Sequence, residues 1–76
     1  MQELVEYLAR GLVADPDAVS VTRVERGDAV VLELRVAEGD VGKVIGRQGR
    51  IVRALRTLAR ASGARSGERV LLEIVE

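Results

Sequence analysis

The stretch Val41-Gly42-Lys43-Val44-Ile45-Gly46-Arg47-Gln48-Gly49-Arg50-Ile51-Val52 restricts the possible folds more than any other. Gly46 and Gly49 bracket a polar pair, and apolar residues recur at helical spacing on both sides. Two helices joined by a tight corner satisfy that pattern. Glycine lacks a Cβ, so its backbone can approach another backbone or a ligand closely. Lys43, Arg47, Gln48 and Arg50 surround the bend with positive charge and hydrogen-bond donors, a combination able to cradle a sugar-phosphate backbone. The same pattern also fits a helix–helix corner that is basic and binds nothing.

Charge separates along the chain although it cancels overall, with 12 basic and 12 acidic residues among 76. Residues 1–42 hold nine acids and four bases, and residues 43–76 hold eight bases and three acids. From Lys43 to Arg65 there are seven bases and no acid. Such a run suits an anionic partner, whereas a merely solvated helix face needs none. Cysteine and histidine are absent, which removes disulfides, thiol nucleophiles, imidazole bases and the usual zinc sites. Ser20, Ser62 and Ser66 lack a histidine to activate them, and the carboxylates near turns suit capping better than catalysis. The chain is expected to be non-enzymatic, with no nucleotide or metal cofactor. It has no transmembrane-length segment, and Glu3 and Glu6 are unlike a secretory leader, so the expected location is the cytoplasm without membrane insertion. Tyr7 is the only aromatic residue, so any nucleic acid must be held mainly by backbone contacts, apolar packing and hydrogen bonds.

Taken in order, residues 2–13 are predicted to form a helix with Leu4, Val5, Leu8 and Leu12 inward and Tyr7 packed with its hydroxyl at the rim. Asp15-Pro16-Asp17 ends it. Residues 18–25 read as a strand whose alternation slips at Arg23-Val24, consistent with a bulge or an edge. After the turn Arg26-Gly27-Asp28, a second strand places Val30, Leu32, Leu34 and Val36 on one face and Val31, Glu33 and Arg35 on the other. Asp40 is expected to cap a short helix over 41–46. A longer helix then runs to about residue 62, with Ile51, Val52, Leu55, Leu58, Ala59 and Ser62 inward and Gly63 as its stop. Residues 69–75 alternate as a closing strand. The order α-β-β-α-α-β gives one α+β domain over residues 1–76, a three-stranded sheet with three helices on one side. Val31, Leu71 and Val75 leave the opposite sheet face partly apolar, which suits a dimer.

Val44-Ile45-Gly46-Arg47-Gln48-Gly49, set between two helical patterns after a hairpin, resembles the GxxG motif of KH domains. The element order resembles the type II arrangement, and the likeness covers essentially the whole chain. Its length, its early Asp-Pro turn and the segment Gly42-Lys43-Val44-Ile45-Gly46-Arg47-Gln48-Gly49-Arg50 are similar to the small bacterial stand-alone KH proteins of the KhpA family. A phosphate-binding P-loop would end Gly-Lys-Ser/Thr, and a dinucleotide fingerprint would follow the first strand of a longer βαβ unit; neither fits.

The resemblance implies non-catalytic binding of single-stranded RNA, as a chaperone or regulator. A groove for about four nucleotides would lie beside the corner. It assigns Gly46 and Gly49 to close approach, Arg47 and Gln48 to phosphate or sugar, and Lys43, Arg50 and Arg53 to the surrounding field. Val44, Ile45, Val52 and Val70 or Leu72 would form the groove wall or the core beneath it. Arg56, Arg60 and Arg65 remain open between contact and solvation. The family likeness further implies links to cell division, cell shape and cell-wall growth. It also implies pairing as a homodimer, or as a heterodimer with a larger KhpB-like RNA-binding protein. An assembly subunit whose partner supplies most of the affinity is the competing reading.

Overall fold

The computed structural model describes residues 1–75. Its elements are α1 (Gln2–Leu12), β1 (Ser20–Arg26), β2 (Ala29–Arg35), α2 (Val41–Ile45), α3 (Arg50–Ser66) and β3 (Arg69–Val75). Three single-turn 3₁₀ segments intervene at Pro16–Ala18, Glu38–Asp40 and Arg47–Gly49. The sheet order is β1-β2-β3, with β1 antiparallel and β3 parallel to the central β2. A parallel neighbour requires a crossover, and α2 with α3 supplies it. This is an α+β fold of the type II KH kind. No helix among the described residues is long and apolar enough to cross a membrane.

The main core lies between the sheet and the helices. Val21, Val30, Leu32, Leu34, Val70 and Leu72 meet Val5, Ala9, Val44, Leu55 and Ala59 there. Removing these aliphatic groups from water stabilises the domain by about 25 cal/mol per Å² of apolar surface buried.

Several expectations need correction. The buried stripe of α1 centres on Val5 and Ala9, while Leu4 and Leu12 are exposed and Tyr7 is 75% exposed. Pro16 closes a 3₁₀ turn in which the Ala18 N–H donates to the Asp15 carbonyl, so β1 starts at Ser20 instead of residue 18. The slip at Arg23-Val24 is no bulge, because β1 and β2 stay in register from Ser20↔Arg35 to Arg26↔Ala29. As a residue of an edge strand, Arg23 reaches out to Glu68 at 2.7 Å. Val31, expected on an open face, is only 3% exposed. Arg26 bonds Glu33 and Glu73 across the Val24–Val31–Leu71 row and so shields Val31 at its centre, while Leu71 at the edge stays exposed.

Helix α3 passes through Gly63 and ends at Ser66. A Cβ on Gly63 would stand 2.5 Å from Val70 Cγ2 and 2.6 Å from the Glu68 carbonyl oxygen. Gly63 therefore lets helix and strand approach; it does not stop the helix. Gly67 does that, at φ 73°, with the Gly67 and Glu68 N–H groups donating to the Ala64 and Gly63 carbonyls. Leu58, assigned to the inner face, is 41% exposed.

Candidate nucleic-acid interface

Asp40 anchors α2, the short helix that leads into the corner. Asp40 was expected to cap α2, yet its carboxylate makes no cap bond there. It is 4% exposed and accepts the Ala14 N–H at 3.1 Å and the Asp15 N–H at 3.0 Å, with Lys43 Nζ 3.3 Å away. The short helix is thereby tied to the end of α1. The Ala14 N–H foremost, then the Asp15 N–H and Lys43, hold the carboxyl below its ordinary pKa against the opposing cost of burial.

Gly46 follows α2 with φ 77° and ψ 171°, a region that side-chain-bearing residues avoid. A Cβ there would lie 2.6 Å from Ile51 Cγ1, so the first turn of α3 packs directly onto the Gly46 backbone. Gln48 is the one non-glycine residue with positive φ among the described residues, at φ 58° and ψ 23°. Gly49 is left-handed as well, at φ 72°, but the space around its missing Cβ is open to 4.0 Å. The two glycines thus differ: Gly46 needs both its dihedral and its space, and Gly49 needs only its dihedral.

The residues singled out by sequence fall into distinct settings. Val44 is fully buried and Val52 is 7% exposed, so both support the corner from the core, whereas Ile45 is 37% exposed beside it. Arg47 is exposed, and its carbonyl accepts the Arg50 N–H, but among the described residues its side chain makes no hydrogen bond or ion pair. The Gln48 side chain accepts a bond from Arg50 Nη2 at 3.1 Å, and its backbone carbonyl accepts one from Arg53 Nη2. Lys43 is exposed but shares its charge with Asp40. Of the seven bases from Lys43 to Arg65, Lys43 alone has a carboxylate partner among the described residues.

A groove of about 480 Å³ continues from the corner between α3 and the free edge of β3. Arg53, Arg56, Arg60, Leu71, Leu72 and Glu73 line it, and Arg56 Nε donates to the Leu72 carbonyl at 3.4 Å. Val70 and Leu72, expected as groove wall or as the core beneath it, both lie in the core, and Leu71 with the backbone edge of Leu72 faces the groove. The part played by Glu73 and by a backbone carbonyl had no sequence signal, since both depend on β3 being an outer strand.

The sequence model of the KhpA/KhpB KH domain matches residues 2–74. The RNA-binding protein KhpA of Treponema pallidum is 52% identical over 75 residues, covering 99% of this chain and 94% of that protein. Its namesake in Aquifex aeolicus is 51% identical over 76 residues, covering 100% and 96%. That of Caldanaerobacter subterraneus subsp. tengcongensis is 47% identical over 75 residues, covering 99% and 100%. No solved structure matches the chain. A GxxG corner between two helices, a mixed three-stranded sheet and a match along nearly the whole length agree: the chain belongs to the KhpA/KhpB KH-domain family.

Proposed function

We propose that this protein binds single-stranded RNA without covalent chemistry, laying the strand over Gly46–Gly49 and into the groove between α3 and β3. The observation that carries this reading is the row of arginines from Arg47 to Arg65, none paired with a carboxylate among the described residues, beside a corner with left-handed glycine. Arg47 and Arg50 meet phosphate, Lys43 adds to the field, and Arg53 and Arg56 wall the groove. Ile45 and Leu71 offer apolar surface to the bases. The names of the relatives support the choice of RNA. A role as a cytoplasmic RNA chaperone or regulator of envelope growth accords with the family resemblance.

The test is binding to a short unstructured RNA pool across a salt series. Neutralising about three phosphates gives a log-log slope near −2, using roughly 0.7 per phosphate for single strands. Gly49→Asp is the informative variant, because aspartate tolerates left-handed backbone and the site has room for it. Loss of binding by this variant, with circular dichroism unchanged, supports the reading. Equal binding by both proteins, or a salt-independent interaction, overturns it.

Assembly is a second reading, favoured by the exposure of Leu4, Tyr7 and Leu58 on the helices. A homodimer, or a heterodimer with a KhpB-like protein, would present two grooves to one strand and raise weak affinity by avidity. Sedimentation across a concentration series, with and without such a partner, tests this directly.

A further inference from the structure

Arg53 presents its charge to the corner, yet its guanidinium is turned back onto the loop. We infer that Arg53 is a positioning residue that preforms the corner by holding the Gln48 carbonyl. This inference rests on the reading that RNA lies over the Gly46–Gly49 corner.

Gln48 occupies a backbone region unfavourable to a residue with a Cβ and is followed by a second left-handed residue, Gly49. A loop in that shape needs contacts from outside itself to persist. Arg53, one turn into α3, supplies a charge-assisted bond to the Gln48 carbonyl, and Arg50 holds the Gln48 side chain from the same helix. Gln48 is therefore gripped at its backbone and at its side chain, while the guanidinium of Arg47 beside it has no bonded partner among the described residues. The two arginines differ in kind: Arg47 is free to meet phosphate, and Arg53 acts through Gln48. A corner already in its bound shape loses less conformational freedom when the strand arrives.

The experiment compares Arg53→Gln with Arg47→Gln by amide hydrogen exchange without RNA and by RNA binding across salt. Arg53→Gln is expected to accelerate exchange at residues 48–50 and to weaken binding while leaving the salt slope unchanged. Arg47→Gln is expected to leave exchange unchanged and to make the slope shallower by about 0.7, the loss of one phosphate contact. In a Gln48→Gly background, Arg53→Gln should matter less, since glycine enters the left-handed region unaided. A shallower slope for Arg53→Gln with unaltered exchange overturns the inference and makes Arg53 a phosphate ligand. Accelerated exchange in a chain whose unaltered form binds no RNA would retain the brace and reject the RNA reading instead.

Discussion

Helix α3 begins and ends on glycines of nearly the same conformation, Gly49 at φ 72°, ψ 17° and Gly67 at φ 73°, ψ 18°. At the Gly67 end the backbone closes on itself, because the Gly67 and Glu68 N–H groups satisfy the carbonyls of the last turn. At the Gly49 end the Gly49 and Arg50 N–H groups likewise donate to the Gly46 and Arg47 carbonyls, but no side chain caps the first turn, and among the described residues the bases gathered there meet no carboxylate apart from Lys43 with Asp40. Left-handed glycine by itself therefore does not distinguish the two ends. The difference lies in the cations gathered at the Gly49 end, which carboxylates among the described residues leave largely uncompensated. In the proposed reading, that charge is what attracts an anionic strand.

Substitutions at four positions break or sharpen this contrast. The largest effect is expected for Gly63→Val near the closed end, where a backbone oxygen and the Val70 side chain occupy the space required. Overpacking there should cost about 3 kcal/mol, or roughly 12–24 °C in melting temperature for a domain of this size, read by thermal denaturation. Molecules that remain folded should still bind RNA. Gly46→Ala comes next, with a cost of about 2 kcal/mol from its dihedral and the approach to Ile51, and here RNA binding should fall along with stability.

Asp40→Asn probes how the corner is held from the α1 side. The folded pKa of Asp40 lies below its unfolded value, so its stabilisation is fully present above about pH 4 and fades as pH falls through the depressed value. The variant should melt lower than the unaltered protein at pH 7, and the gap should close in acid. A gap independent of pH would mean that the carboxylate charge is not what ties α2 to residues 14 and 15. The smallest effects belong to Gly67, whose missing Cβ has open space around it. Gly67→Ala should cost about 1 kcal/mol and Gly67→Asn a few tenths, both with unchanged RNA affinity. A loss of affinity in either would show that the closed end also takes part in binding.

Much of this arrangement was legible in the order of residues. The alternation Val30, Leu32, Leu34 located the central strand, and the Gly46–Gly49 spacing located the corner, since both follow from local periodicity and backbone freedom. Gly63 was misread because a glycine needed for close packing and a glycine that stops a helix look alike in sequence. The partners that separate them, Val70 and the Glu68 carbonyl, arrive only when β3 folds back. Asp40 was misread for a similar reason: an acid just before a helix suits a cap, but the amides it accepts lie 26 and 25 residues earlier.

The sequence by itself determined the element order, the glycine corner and the uninterrupted basic run, because these depend on neighbours within a few residues. Tertiary structure alone decided that Arg53 turns back onto Gln48 and that the edge of β3 faces the arginines of α3. Each of these depends on which groups the folded chain brings within bonding distance. Periodicity assigns a residue to a face but does not identify what lies opposite it.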